Sequence, residues 1–592
     1  MGCVAFHSSQ IRNSILFLDP VLCIYAFSKY GLISRIQSIG LLAAIVAVYS
    51  ISAFVDVMEI DAAQYASIAR EMLERGEYLH VTNRYVDYLD KPPLLFWLSA
   101  LSFKVFGISN VAFKLPSLLF ALLGIFSTYK LGKLLYTEQT GVLAALIFAS
   151  CQAMFLTTND VRTDTILTGA IIFSIWSCVV FVKYGKWIWL AAASLGIAAG
   201  MLAKGPIGIM APGLALGAHF VLRREWKNIF KWQWIVMVLV VAVLISPMLW
   251  GLYQQFDAHP EKGVSGVRFF LWDQSFGRLT GDNPFVNSQK TPQPSAPLFF
   301  VHTVIWAFLP WSLFLILGLA SQTKALFNAR FFLSKNEEAI TFGGFVLVFL
   351  GMSLSAYKLP HYIFIVFSLA AIITASYIQT TFSSLGNTRF QSGLFRFHGV
   401  VLMLIWLALV VFCTASFPLH NLLLWIVIIA LFGFFVFVWK GKIPVEKKLI
   451  VGTVVTMIAV NFMLSAHFYP TLLSYQSNTS AGKFAIENSI PSEQFVSYRI
   501  GGHALDYYSQ RAVPWLSEPS SVEQRIAQGQ TWVFTDLEGK TELESAQLLP
   551  DSVIVCKDFR VTMLRLTFFI PSERDKMLNE KFLLGYNQQT LP

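Results

Sequence analysis

Five short stretches of an otherwise apolar chain gather the side chains that could do chemistry. The first is Glu59-Ile60-Asp61-Ala62-Ala63-Gln64-Tyr65. Beyond it, Tyr65, Ile68, Ala69, Met72 and Leu73 recur at helical spacing, which predicts an amphipathic helix lying in a membrane interface with Asp61 at its start. A carboxylate there can cap free N–H groups at the positive end of the helix dipole, or act as a base. The second stretch is Tyr88-Leu89-Asp90-Lys91-Pro92-Pro93-Leu94. Its prolines hold the backbone extended and keep Lys91 at membrane-surface depth. There the ammonium can meet a lipid phosphate, or simply snorkel to water. The third is Asn159-Asp160-Val161-Arg162-Thr163-Asp164. An acid that opens a transmembrane helix, as Asp164 would, is costly unless it faces a wet cavity. Asp160 and Asp164 share a face if both are helical; otherwise this is a cap and a solvated loop. The fourth runs from Trp272 and Asp273 to Arg278, whose guanidinium offers a bidentate fork for phosphate. The fifth, Ser355–Tyr362, sets Lys358 and His361 on either side of a turn at the lipid surface.

The elements that must position these residues are membrane spans. The 592 residues are 55% hydrophobic and only 13% charged, against about 25% charged in soluble domains. Mean hydropathy is +0.60. The net charge of +10 sits largely in short loops between apolar runs, the signature of membrane orientation, and no compact basic domain is present that could bind nucleic acid. The six cysteines, Cys3, Cys23, Cys151, Cys178, Cys413 and Cys556, show neither metal spacing nor a disulfide framework. The stretch to about Arg35 is broken by Asp19 and Pro20 and lacks a convincing cleavage site, so it reads as a cytoplasmic extension over 1–35.

Apolar runs of bilayer length occur at about 36–55, 111–133, 141–158, 164–183, 187–203, 205–222, 232–251, 297–319, 339–356, 359–380, 397–416, 420–439 and 449–466. Pro92–Gly107 is short for a span and carries Lys104. If it lies in the interface, the loops bearing Lys130/Lys133, Lys183/Lys186, Arg223/Arg224, Lys324/Arg330, Arg389/Arg396 and Lys440/Lys442 all fall on one side. If it crosses, every later loop violates the rule. The expectation is therefore a polytopic helical bundle of thirteen spans over 36–466. Loops 56–110 and 252–296 and a tail over 467–592 then lie outside the cytoplasmic membrane. All five polar stretches lie on that outer side. The tail has globular composition. Gln494–Ile500, Thr531–Asp536, Ser552–Cys556 and Val561–Phe569 read as strands, with helices near Ser521–Gln528 and Glu542–Leu548, giving a small α/β domain.

On these residues the chain resembles the bacterial 4-amino-4-deoxy-arabinose lipid A transferases and their relatives in the protein O-mannosyltransferase superfamily, which are membrane glycosyltransferases of the GT-C type. The likeness covers roughly residues 36–380. It rests on Asp61, Tyr-Leu-Asp-Lys-Pro-Pro-Leu (88–94), Arg-Thr-Asp (162–164), Ala-Lys-Gly-Pro (203–206) and Lys-Leu-Pro-His-Tyr (358–362). The resemblance implies that Asp61 and Asp164 are the acids of the reaction centre. It implies that Lys91 and Arg278 hold the donor's phosphate, aided by Lys358 and His361, and that Tyr65, Tyr88 and Tyr362 line the cavity. Relatives place Glu and His as a metal pair where this chain has Asp90 and Asp273. Two carboxylates suit a hard cation such as Mg, Mn or Ca, and no cofactor is required for the chemistry.

The reaction implied is attack by an acceptor oxygen on a sugar linked to polyprenyl phosphate, at the outer face of a bacterial inner membrane. Its partners are that donor, membrane lipids and an envelope lipid, glycan or protein acceptor. The leaving phosphate must be met by fixed cations in a site of low dielectric. For a hydroxyl acceptor Asp61 is the base; for a phosphate acceptor it positions the acceptor or steadies positive character on the sugar. The competing class is a transporter or flippase of lipid-linked sugars. Transporters carry their ionisable residues near the bilayer midplane between paired halves, and this sequence does neither.

Overall fold

The computed structural model describes residues 35–277, 298–334, 337–355, 357–383 and 388–587. The N-terminal extension up to residue 34 lies outside the described residues, and so does Arg278.

Each of the thirteen apolar stretches folds as helix, whole or in pieces. Among the described residues eight helices are long and apolar enough to cross a membrane. They include Asn110–Leu135, Thr163–Tyr184, Trp187–Lys204 and Pro360–Phe382. The stretch expected at 141–158 is two helices, Glu138–Ser150 and Gln152–Asn159, bent by 52°. The break falls at Cys151, whose backbone is extended at φ −68°, ψ 144°. The stretch at 297–319 is likewise divided, into Phe299–Ala307 and Ser312–Asn328, with Pro310 between them. Ile36–Ser52, Ile207–Leu222 and Ile340–Ser353 are apolar but shorter. Leu94–Phe106 has 13 residues. At 1.5 Å per residue it is about 20 Å long, well short of the roughly 30 Å hydrocarbon core.

Small residues let the bundle close around the site. A Cβ on Gly208 would lie 2.4 Å from the backbone of Gly200. Helices Trp187–Lys204 and Ile207–Leu222 therefore pack backbone to backbone at the turn that carries Lys204.

The first outer helix, Asp61–Arg75, departs from the amphipathic pattern expected of it. Tyr65, Ile68, Ala69 and Met72 are buried as expected, and so are Ser67, Arg70 and Glu71 on the polar side. Ser67 and Arg70 meet the C-terminal domain, whereas Glu71 is held within its own loop, accepting from Thr82 Oγ1 and from the Tyr85 N–H at 3.0 Å. Ser67 Oγ donates to the carbonyl of His503 at 3.1 Å, and Arg70 donates to that of Gln510 at 3.0 Å.

The two-residue strands β1 (Thr82–Asn83) and β2 (Val86–Asp87) pair in the first outer loop. The C-terminal domain holds β3 (Phe495–Tyr498), β4 (Trp515–Leu516), β5 (Thr531–Asp536), β6 (Ser552–Asp558) and β7 (Asn579–Tyr586) in the order β4-β3-β5-β7-β6. β3 runs parallel to β4 and β5, and β7 runs antiparallel to β5 and β6. Pro519–Gln528 and Leu537–Ser545 are helical. Val561–Phe569, expected as a strand, is turn and a short 3₁₀ helix. Its two phenylalanines pack on the membrane bundle instead, while Met563, Leu564 and Leu566 are exposed. Phe568 and Phe569 lie 6.3 and 6.1 Å from the ring of Phe417, and the Arg574 guanidinium covers that ring at 3.8 Å. The strand that completes the sheet is β7.

Candidate active site

Asp61 opens its helix at the N-terminal end of the outer loop. Its side chain makes no capping bond. Oδ2 instead accepts from Arg162 Nη1 at 2.6 Å, and Asp61 remains 43% exposed. Arg162 Nε donates to Asp160 at 2.5 Å. One guanidinium thus joins two carboxylates drawn from separate segments. Burial works against its charge, but Asp160 and Asp61 outweigh that and hold its pKa above the usual value. For Asp160 burial wins, and its carboxyl is pushed up despite Arg162. The helix breaks at 160–162, so Asp160 and Asp164 do not share a helical face and take different partners.

Asp164, in the first turn of Thr163–Tyr184, is only 3% exposed. Its Oδ1 accepts from Lys204 Nζ at 2.5 Å, and Oδ2 lies 3.8 Å from His361 Nε2. Lys204 also sits over the ring of Tyr362 at 3.9 Å. A carboxylate held between an ammonium and an imidazole fixes their positions. Lys91, Arg162 and Lys204 all lie within electrostatic reach of His361. Three cations therefore converge at one end of the bundle.

Lys91 Nζ pairs with Asp90 at 2.7 Å and keeps 14% of its side chain exposed. Behind it Tyr65 and Tyr88 flank Phe96, with ring centroids 5.6 and 6.0 Å away. Asp61, Tyr88, Asp90 and Arg162 are all electrostatic neighbours of Tyr65. Lys358 is buried.

Lys91 and Lys204 face one groove of about 910 Å³ of empty volume. Its walls are otherwise apolar, with Ile207, Met210 and Leu214 from one helix, Val348 and Met352 from another, and Ile365. Gln274 and Ser275 close the side near Lys91. Gln274 Nε2 donates to the carbonyl of Asp90, which ties the second outer loop to the first.

Asp90 and Asp273, expected as a metal pair, each lie beside a cationic side chain. Asp90 is engaged by Lys91, and Asp273 lies 3.6 Å from Arg268. No group of three or more His, Cys, Asp or Glu that could hold an ion occurs among the described residues. The pair does not fit a hard cation, which needs several convergent oxygens.

Of the expected residues, the structure brings together Asp61, Tyr65, Tyr88 and Lys91 around Arg162, and Asp164, His361 and Tyr362 around Lys204. The two residues that join the set, Arg162 and Lys204, were visible in the sequence only as members of the Arg-Thr-Asp and Ala-Lys-Gly-Pro motifs.

Comparison with known proteins gives the same picture. Residues 90–250 match the dolichyl-phosphate-mannose-protein mannosyltransferase family. An uncharacterised protein of Aquifex aeolicus (strain VF5) is 24% identical over 76% of this chain and 82% of its own length. The undecaprenyl phosphate-alpha-4-amino-4-deoxy-L-arabinose arabinosyl transferase of Yersinia pestis (strain Pestoides F) is 25% identical over 80% of this chain and 86% of its own. Among solved structures, ArnT from Cupriavidus metallidurans bound to undecaprenyl phosphate superposes with a TM-score of 0.67 at 16% identity. It covers 93% of this chain and 98% of that one. The bundle with its small sheet domain is the GT-C fold, and the chain is similar to membrane glycosyltransferases of the protein O-mannosyltransferase and aminoarabinose transferase group.

Proposed function

We propose that the protein transfers a sugar from a polyprenyl-phosphate carrier to an envelope acceptor at the outer face of a bacterial cytoplasmic membrane. The observation that carries this is the groove whose polar end holds Lys91 and Lys204 and whose walls are apolar. That pattern matches a lipid with a phosphate head. The prenyl chain lies along Ile207, Met210, Leu214, Val348 and Met352, and the phosphate meets the two ammonium groups. The relatives named as undecaprenyl-phosphate-sugar transferases support the same donor.

As the bond between the anomeric carbon and the phosphate oxygen breaks, negative charge grows on the leaving phosphate. Lys91 and Lys204 stabilise it, and they are already in place, so no reorganisation is needed at that moment. Asp164 and Tyr362 hold Lys204 at its post. Asp61, fixed by Arg162 and still exposed, faces the sugar. It takes the proton from an acceptor hydroxyl, or, for an acceptor that is already an anion, steadies positive character on the ring. Lys91, Lys204 and Arg162 supply the positive charge of the site, and the proposed cycle uses no metal.

The test is direct. The detergent-purified protein, given a membrane lipid extract carrying polyprenyl-phosphate sugars, should release polyprenyl phosphate only when an acceptor is present. Mass spectrometry of envelope lipids and glycans from cells with and without the gene should show the loss of one sugar mass. Identical envelopes would sink the proposal.

A further inference from the structure

A second cavity lies beside the start of the helix that Asp61 opens. It is bounded by the start of the first outer helix and by the C-terminal domain, and has about 870 Å³ of empty volume. Glu59, Ile60, Asn478, His503, Arg560 and Lys581 are among its walls. None of its lining residues belongs to the lipid groove. We propose that this cleft binds the sugar portion of a glycan or glycolipid acceptor; the proposal rests on the transferase reading above.

Position is the first argument. Ile60 lines the cleft and directly precedes Asp61. The charge of Asp61 also reaches His503 on the opposite wall. The lipid groove is lined by a different set of residues, with Lys91 and Lys204 at its polar end. The cleft therefore lies next to the proposed base without sharing a wall with the donor groove, as an acceptor site must.

Chemistry is the second. The lipid groove is apolar except at one end, whereas this cleft mixes donors and acceptors. Asn478, Arg560 and Lys581 offer N–H groups; Glu59 and Asp558 offer carboxylate oxygens. A polyhydroxylated ring needs both kinds in one place, and Phe559 adds an apolar patch for its C–H face.

The walls are also fixed in advance. Glu59 Oε1 accepts from the Ala504 N–H at 3.0 Å and Oε2 from Asn478 at 2.8 Å. Lys581 pairs with Asp558 at 3.3 Å. Polar capacity is left over: Asn478 Oδ1 and His503 Nδ1 are buried with no hydrogen-bond partner among the described residues. A peptide acceptor would call for an open strand edge or a row of apolar pockets. Of the edge strand β6 only its last residue, Asp558, reaches the cleft.

The probe is the neutral disaccharide N-acetylglucosaminyl-β-1,6-N-acetylglucosamine, titrated into the full chain in detergent and read by saturation-transfer NMR. Thr562 lies exposed on the rim, so Thr562→Trp fills the cleft without disturbing a packed core. Arg560→Ala removes a donor and leaves the space. The disaccharide should bind the parent protein, about tenfold more weakly with Thr562→Trp, and less weakly affected with Arg560→Ala. Polyprenyl phosphate, titrated into the same samples, should bind all three alike. Failure of the disaccharide to bind the parent, or equal binding to Thr562→Trp, overturns the proposal. So does a loss of carrier affinity in Thr562→Trp, or displacement of the disaccharide by a serine- and threonine-rich peptide. If polyprenyl phosphate binds none of the samples, the donor reading fails by itself, and the saccharide result still decides the cleft.

Discussion

Asp61 and Arg162 stand 101 residues apart in the chain and meet through a 2.6 Å hydrogen bond at one end of the bundle. The contact converts a helix-opening acid into a fixed carboxylate, since its helix takes no cap from it. Asp61→Asn should therefore lower turnover by about 10²- to 10⁴-fold, the usual cost of losing an acid–base group. Binding of polyprenyl phosphate should be unchanged or slightly tighter, because the lost charge has the sign of the phosphate. Arg162→Ala should reduce turnover too, with Arg162→Lys recovering part of it, since a lysine keeps the charge but cannot fork to Asp61 and Asp160 at once. Carrier titrations beside single-turnover rates check this. Asp61→Asn losing carrier affinity as severely as Lys91→Ala would make Asp61 a structural anchor.

Lys91 and Lys204 should carry the carrier's phosphate together. Each charge-assisted contact is worth about 1.5–3 kcal/mol, so Lys91→Ala and Lys204→Ala should each weaken polyprenyl phosphate binding by roughly 10- to 100-fold. Their consequences for folding should differ. Lys91 is partly exposed and pairs only at the surface with Asp90, whereas Lys204 neutralises the buried Asp164. Breaking a buried pair from one side costs about 3–5 kcal/mol. Lys204→Met should thus lower the thermal midpoint, and adding Asp164→Asn should restore most of it. A double variant as unstable as the single one would place the importance of Asp164 elsewhere.

Much of this site could be read from sequence because its residues sit in local motifs. The Pro-Pro after Lys91 sets that side chain's depth whatever the rest of the fold does. Lys204 was harder. It ends an apolar run, where a snorkelling lysine is ordinary, and its partner Asp164 lies 40 positions away on another helix. Helical periodicity found the buried stripe of Asp61–Arg75 but not the burial of Ser67 and Arg70, which depends on a domain that begins some 400 residues later. Val561–Phe569 has strand composition, but Met563, Leu564 and Leu566 are exposed, and Phe568 and Phe569 pack against Phe417 of the bundle and not in a sheet. β7, which does form a strand, opens with Asn579, Glu580 and Lys581 and hides its apolar half behind them.

The clamp between the C-terminal domain and the first outer loop should respond to pH through Asp506. Its side chain is 1% exposed, pairs with Arg84 at 3.2 Å and accepts from the Val513 N–H at 2.9 Å. Burial nevertheless dominates and pushes the carboxyl up to about 6. The unfolded chain releases this proton near pH 4, so the folded protein holds the extra proton between about pH 4 and 6. Stability from this group is accordingly present at low pH and lost as pH rises through about 6. Asp506→Asn, which imitates the protonated form, should melt higher than the parent at pH 8, by up to about 2–3 kcal/mol, and the gap should close toward pH 4. A constant difference across that range would show that Asp506 stays ionised throughout.

Orientation is the last expectation, and it is decided by Pro92–Gly107. If this segment crossed, the loops bearing Arg223/Arg224 and Lys440/Lys442 would face outward against the positive-inside rule. Its helix has 13 residues, too few for a span. The C-terminal domain also touches this helix and the loop before it. Tyr507 stacks on Phe103 at 6.3 Å, and Arg84 in the preceding loop donates to the carbonyl of Val513 at 2.5 Å. Loop 56–110 and the domain after residue 467 must therefore share one side, which the charge count makes the outer one. Leu566, 88% exposed on the domain's surface, is a suitable reporter. With Leu566→Cys in an otherwise cysteine-free chain, a membrane-impermeant maleimide should label intact spheroplasts as fully as lysed ones. A cysteine placed at Lys442, in the loop after Leu422–Lys440, should react only after lysis. The reverse pattern would turn the whole bundle over and put Asp61, Lys91 and both cavities in the cytoplasm.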